Sequence, residues 1–567
     1  MRAEANPRSG ASPLLILTCM AFASVALVLS KQSDGRQAWF NLATQDWWLL
    51  LVATLVCAVC SIKLAEGRNL PFLGRKHYLI GASVAGLVAY LGHYLVLSGY
   101  DLSRDEQMAS FDAAVFATGR LVAPLPAEWA RHADALNTMF MYPAEIRSAW
   151  ISAYLPGNAL MRAGFSWMGD AALTGPAMIL LGALALWGCV RKLWPQDKAA
   201  PFVAGALYLC SGQVLITGMT SYAMPAHLAL NLVWFWLFLQ RRWRADIAAL
   251  VVAFLATGLH QPIMHPIFAA PILFLVVLER HWARAALFFA GYLAIGLFWW
   301  MWPIWMIDLV GTSGAAGSGT EFDYLSRLVA ALGDDFLTGL LVMAANLLRF
   351  AAWQHLLLVP LVLYGVVAAR RERMVWGLAG GIVLMIAIMA VILPDQGHGF
   401  GYRYLHGFIG SAILLAVYGW KSLGQQMGLW NSYVLRATAA TLLVLLPIQL
   451  WLAHGSYAPY ARASETMGAL EADFVVIGAT DAPYTADLVY NPPALEQRPL
   501  RLLRHEMDAE TIGFLCRNGP SVALANASDL APIAGYYGQG VEDFAKANRT
   551  LAQRLTASGC SVLERAS

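Results

Sequence analysis

Residues 78–120 read YLIGASVAGLVAYLGHYLVLSGYDLSRDEQMASFDAAVFATGR. The first part, 78–98, holds no Asp, Glu, Lys or Arg and has the roughly 20 apolar residues that a helix needs to cross a bilayer. Acids follow at once: Asp101, Asp105, Glu106 and Asp112, with Arg104 the only base before Arg120. The chain therefore delivers carboxylates to the boundary where an apolar span ends. Asp101, Asp105 and Asp112 stand at i, i+4 and i+11, one face of a helix, with Glu106 beside it. One reading is a solvated helix start whose acids favour the N-terminal dipole. The other is a carboxylate held at the water–lipid boundary to take a proton from a hydroxyl, its pKa raised by partial burial.

The rest of the chain has the same character. Of its 567 residues 59% are hydrophobic and only 13% charged, against about 25% charged in an ordinary soluble domain. A soluble globular protein, a disordered chain and a disulfide scaffold are excluded, and a net charge of +3 gives no ground for nucleic acid as a partner. Charge is unevenly spread: residues 454–567 hold 9 basic and 13 acidic residues. The expected fold is mainly α, a polytopic helical membrane body over 1–453 followed by a small extracytoplasmic α/β domain over 454–567. About thirteen spans are expected, at 13–30, 47–64, 78–98, 172–190, 200–217, 223–240, 246–259, 263–278, 285–306, 353–369, 374–393, 405–420 and 434–453. The first follows Arg2 and Arg8 as a signal peptide would, but its long apolar run favours a retained anchor.

Orientation follows from the bases. With the N-terminus inside, 19 Lys and Arg fall in short inner segments and 10 in the much longer outer ones before the tail. The N-terminus is then cytoplasmic and the tail outside. The long outer segments are 99–171 and 307–352, and candidate chemistry is expected there.

In the outer segment PDQGHGFGYRY, residues 394–404, Arg403 is the only base, flanked by Tyr402 and Tyr404. It is read either as an interfacial anchor or as a bidentate clamp on a lipid-linked phosphate, with His398 adding a proton or hydrogen bond. Gly397, Gly399 and Gly401 open no βαβ unit, and no phosphate-binding GxxxxGK[ST] loop exists. In GLHQPIMHP, residues 258–266, His260, Gln261 and His265 are candidate substrate-pocket groups, although each His is more commonly a satisfied polar group; two His make no zinc site. The stretch GTSGAAGSGT, 311–320, reads as a hinge or lid, and Phe322–Phe350 as an amphipathic surface helix. No metal site is assigned. Asp334 and Asp335 read first as a solvated pair, with a divalent cation as the minor cofactor option. In the tail, strands are expected at Phe474–Ile477 and Ser521–Leu524, and a last one at Ser561-Val562-Leu563. Cys516 and Cys560 are the only cysteines assigned outside, where thiols are oxidised, so they are expected to pair in a disulfide.

The early outer loop with its Asp105-Glu106 pair, the amphipathic stretch after it and Tyr154-Leu155-Pro156-Gly157-Asn158 entering the next span resemble the GT-C class of membrane glycosyltransferases, which includes protein O-mannosyltransferases and lipid A aminoarabinose transferases. The resemblance covers about 95–450 in architecture and only short motifs in sequence. It implies transfer of a sugar from a polyprenyl-phosphate carrier to an acceptor hydroxyl outside a bacterial inner membrane, with inversion. The class places its essential acid in this loop, which maps to Asp105, with Glu106 and Asp101 in support and Arg104 beside them. Arg403, Tyr404 and His398 would face the donor. The implied partners are a polyprenyl-phosphate-linked sugar, a glycan, lipid or protein acceptor, and membrane lipid. In the class this loop follows the first span; here it follows the third, so two extra N-terminal spans are expected. The alternatives are a lipid-linked saccharide flippase or transporter, which would place polar groups at the midplane and show an internal repeat, and an oligosaccharide polymerase.

Overall fold

A computed structural model describes residues 11–31, 36–62, 64, 69–142, 146–310, 336–478, 483–537 and 544–563. Helices stand at every expected span, and six among the described residues are long and apolar enough to cross a membrane: Gln37–Cys60, Arg75–Leu95, Ala171–Leu193, Trp282–Val310, Arg373–Ile392 and the run Met427–Gly468. Their outward faces are apolar. On Trp282–Val310, Phe289, Leu293, Leu297 and Trp300 recur at helical spacing and are all exposed. Such a stripe is untenable in water and natural against lipid: the chain is an integral membrane protein.

The bundle packs through small residues. Leu358–Ala368 and Ile409–Lys421 touch backbone to backbone: a Cβ on Gly365 would lie 2.2 Å from the Leu415 carbonyl oxygen, and one on Gly419 2.2 Å from that of Leu361. Lipid tails are as apolar as leucine, so close van der Waals contact is what draws such helices together.

Four spans differ from expectation in detail. The stretch 200–217 is two helices, Ala200–Leu209 and Gly212–Thr217, because Ser211 caps the second by accepting from Val214 N at 3.2 Å. The stretch 353–369 becomes helical only at Leu358. Before Ile409, residues Arg403–Phe408 form a tight 3-10 turn. The last span belongs to a run whose wide π turn, Thr441–Leu445, precedes Leu446–Gly468. The expected boundary at 453/454 thus falls inside a helix that leads directly to the tail.

Two short strands, β1 (Ala123–Pro124) and β2 (Ala149–Trp150), pair antiparallel within 99–171. The tail carries four more, β3 (Phe474–Ile477), β4 (Leu500–Leu503), β5 (Ser521–Leu524) and β6 (Ser561–Val562), all parallel in the order β4-β3-β5-β6. Parallel neighbours require crossovers, and helices Ala509–Leu515, Ala527–Tyr537 and Phe544–Ala557 lie in the connections after β4. The Cys516 and Cys560 sulfurs are joined in a disulfide, with Cα atoms 4.7 Å apart.

The sheet does not have a core to itself. Met108, Phe111, Trp129 and Trp150 from 99–171 share one apolar cluster with Val476, Leu502, Ile512, Val522 and Leu555. The Trp129 ring meets Phe474 at 6.0 Å and Phe514 at 5.1 Å. Loop and tail therefore form one cap over one end of the bundle. The expected lid at 311–320 and the pair Asp334 and Asp335 lie outside the described residues; of the expected surface helix Phe322–Phe350 only the second half is described, within Phe336–Ala352, and it is packed into the bundle rather than laid on the surface, with Val342, Ala345, Asn346 and Arg349 buried.

Candidate active site

The helix Arg104–Ala117 starts where a capping box sets it. Glu106 N donates to Ser103 Oγ at 3.2 Å, and Ser103 N donates to Glu106 Oε2 at 3.1 Å. Glu106 is fully buried and also accepts the Tyr457 hydroxyl at 3.0 and 2.9 Å. Burial, and then the Asp101 charge, push its pKa up to about 8 against those hydrogen bonds. Its place is behind the helix, away from the cavity described next.

Asp105, in the first turn, points the other way. It lines a cavity of about 350 Å³ together with Ser103, Arg104, Tyr154, His260, Gln261, Asp395, Gln396, His398, Arg403, Tyr404 and Asp487. Arg403 Nη1 donates to Asp105 Oδ2 at 2.6 Å, and the Tyr154 hydroxyl donates to Asp105 Oδ1. Burial acts to raise the Asp105 pKa, but Arg403, His260 and Tyr154 outweigh it and hold the carboxyl below its ordinary value. This corrects the expectation of a raised pKa: the burial is present, and a cation in direct contact overrides it.

Arg403 is equally constrained. Its guanidinium sits 4.7 Å from the centre of the Tyr222 ring, and its Nη2 donates to the Gln396 carbonyl. Burial opposes its charge; Tyr222, Asp105 and Tyr404 more than compensate, so it is firmly cationic. The glycines around it now have a reason. Gly399 has φ +136°, and a Cβ there would lie 2.5 Å from Arg403 Cδ, so the bare backbone wraps the arginine stem. Gly397 and Gly401 also have positive φ. GHGFG is the socket of Arg403.

Of the other expected residues, His260 and Gln261 line the cavity. Among the described residues His260 Nδ1 and Gln261 Oε1 are buried without a partner, as is Asp395 Oδ1 on another wall. Burial, only partly offset by Asp105, lowers the His260 pKa to about 4, so its ring is neutral. His265 does not join them: it is fully buried between Asn231 Oδ1 at 2.7 Å and the Tyr292 hydroxyl at 2.9 Å. Asp101 is absent from the lining too. It precedes the helix, so the helical-face argument does not reach it, and it accepts from Ser110 and Ser221, each at 2.5 Å. Asp112 does share the face of Asp105; both line a smaller cavity of about 20 Å³, and burial pushes the Asp112 pKa up to about 7. No group of three or more His, Cys, Asp or Glu among the described residues could hold a metal ion.

One wall comes from the tail. Asp487 binds Arg104 Nε at 2.9 Å and His398 Nε2 at 3.4 Å, and its carbonyl accepts from Gln107 Nε2 at 2.7 Å. Sequence reasoning missed Asp487, Tyr222 and Gln396 and gave Tyr154 no role. Asp487 lies 383 positions from Arg104, and no spacing rule links them.

Cavity, acid and arginine lie at one end of a polytopic helical bundle. Among solved structures the chain is similar to ArnT from Cupriavidus metallidurans in the apo state, with 12% identity, a TM-score of 0.44, and 82% of this chain and 90% of that chain covered. It is similar also to ArnT from the same organism bound to undecaprenyl phosphate, with 12% identity, a TM-score of 0.44, and 72% and 84% covered. No family model matches the chain, and no curated protein matches it.

Proposed function

We propose that the protein is a glycosyltransferase that moves a sugar from a polyprenyl-phosphate carrier to an acceptor hydroxyl on the outer face of a bacterial inner membrane, by one displacement with inversion. The observation that carries this reading is the Asp105–Arg403 pair in the wall of a polar cavity, 2.6 Å between charged atoms. The two groups are what the reaction needs on its two sides: a base for the incoming hydroxyl and a cation for the departing phosphate. The donor phosphate competes with Asp105 for Arg403. As Arg403 turns to it, Asp105 loses the contact that lowers its pKa and becomes a better base. The acceptor oxygen then attacks the anomeric carbon, the bond from that carbon to the phosphate oxygen breaks with its electron pair, and the acceptor proton passes to Asp105. Polyprenyl phosphate leaves paired with Arg403.

The carrier's chain has a groove to lie in. An apolar cavity of about 440 Å³ is lined by Leu405, Phe408, Ile382, Ile386, Leu347 and Val362, among others. Leu405 and Phe408 belong to the same short turn as Arg403 and Tyr404, so one turn contributes to the lining of both groove and polar cavity. The outer placement rests on the distribution of Lys and Arg. Binding of undecaprenyl phosphate alone to the purified full-length protein tests the reading. Arg403→Ala should weaken it by tenfold or more, as expected for losing a charge-assisted contact of roughly 1.5–3 kcal/mol. Equal binding by wild type and variant would remove the donor role of Arg403.

A further inference from the structure

We propose that the N-terminal hairpin, helices Ala11–Leu29 and Gln37–Cys60, is a positioning element for Arg403 that acts through an ion pair between Asp46 and Arg349. The proposal rests on the reading of Arg403 as the phosphate-binding group and supplies what holds it in place.

The connection can be followed atom by atom. Asp46 ends the π turn Leu42–Asp46 and is fully buried; Arg349, on Phe336–Ala352, is 1% exposed. Arg349 Nε donates to Asp46 Oδ2 at 3.0 Å, and Trp353 Nε1 donates to Asp46 Oδ1 at 2.6 Å, so both carboxylate oxygens are engaged. Arg349 Nη2 reaches past the pair to donate to the Gly399 carbonyl at 2.9 Å. Gly399 is the residue whose backbone wraps the stem of Arg403. At Tyr402 the same loop is held by neutral groups: Gln213 Nε2 donates to the Tyr402 carbonyl at 2.9 Å, and Gln354 Nε2 to Gln213 Oε1 at 2.6 Å.

The chemistry of the pair fits this task better than simple cohesion. A buried ion pair is a poor way to join two apolar helices, since well-packed hydrophobic residues do so at least as well. A guanidinium, though, can bind a carboxylate with one edge and a carbonyl with another. It can be buried beside Gly399 only if something neutralises it, and Asp46 does. The hairpin also reaches the groove and the tail, through uncharged contacts. Phe22 and Val25 line the apolar groove. Gln45 Nε2 donates to the Tyr536 hydroxyl at 3.0 Å and to Ser456 Oγ at 3.2 Å, and Phe40 packs on Tyr537 at 4.8 Å. The two N-terminal helices thus reach the arginine socket through Arg349, and the groove and the tail directly.

The test uses undecaprenyl phosphate binding and thermal unfolding of the full-length protein for Asp46→Asn, Arg349→Met, the double variant, Arg349→Lys and Arg403→Ala. Each charge-removing single change leaves one buried charge unpaired, so both should lose stability as well as binding. The double variant buries no charge and should recover most of the stability, yet its Kd should stay raised by roughly tenfold because Gly399 has lost its donor. Arg349→Lys keeps the charge balance and should fold, but one ammonium cannot reproduce the two-edged contact, and binding should again weaken. Wild-type Kd in the stable double variant, or in Arg349→Lys, overturns the proposal while leaving the role of Arg403 intact. Unchanged binding in Arg403→Ala removes that role, and the positioning proposal with it.

Discussion

Replacing Glu106 by Gln separates a capping role from a chemical one. Gln has the same shape, can accept from Ser103 N as the carboxylate does, and can keep the Tyr457 contact. It cannot titrate. The Glu106 pKa rises from 4.5 to about 8 on folding, and each unit corresponds to about 1.4 kcal/mol. The unfolded carboxyl loses its proton near 4.5 and the folded one near 8, so between those values folding takes up a proton and stability falls as pH rises. Above pH 8 the wild-type protein then carries a burden on the order of 3–5 kcal/mol that Glu106→Gln removes. Thermal unfolding of the two proteins in one detergent should show nearly equal midpoints at about pH 5 and a higher midpoint for the variant at about pH 8.5. Transfer activity should be kept, because Glu106 does not line the cavity. A well-folded variant that has lost turnover would refute the capping role, and a variant that melts lower at high pH would refute the pKa argument.

Three further outcomes follow from the geometry. Asp487→Asn should weaken the contacts with Arg104 and His398 and lower kcat/KM severalfold in a protein that still folds; steady-state kinetics in donor and in acceptor checks it. Reducing the Cys516–Cys560 bond opens a loop of 44 residues, which in the chain-entropy model is worth roughly 4 kcal/mol; unfolding with and without reductant, and mass spectrometry after alkylation, measure it. Tyr154→Phe removes one donor to Asp105 and should raise its pKa, moving the acidic limb of the kcat/KM profile to higher pH.

The bundle was legible because apolar runs of span length have few other uses. Breaks such as Ser211 were not, since a cap inside an apolar run makes no change in hydropathy. In the tail, β3, β5 and β6 announce themselves as short apolar runs. β4 does not: Arg501 lies in the middle of it, its guanidinium bound to the Ser464 carbonyl and hydroxyl. In the site, Asp105 and Arg403 both stood out by charge in an apolar setting, but that they touch could not be read, because they are 298 positions apart. The periodicity that joined Asp105 to Asp112 failed for Asp101, which the helix start excludes. Glu106 stood out for its charge and proved to be half of a capping box, a pattern that Ser103 and Glu106 already spell three residues apart.

The central claim is that Asp105 takes the acceptor's proton, and turnover by purified Asp105→Asn measures it most directly. Lipids from cells lacking the protein, in which the unused donor accumulates, supply the lipid-linked sugar for the assay. Asn preserves shape and can still accept from Tyr154, and Arg403, left without its carboxylate, lines the cavity, so the variant should lose some stability but still express, insert and bind undecaprenyl phosphate. Transfer should fall by on the order of 10²–10⁴, the usual contribution of a general base. Wild-type turnover by the folded variant would contradict the account.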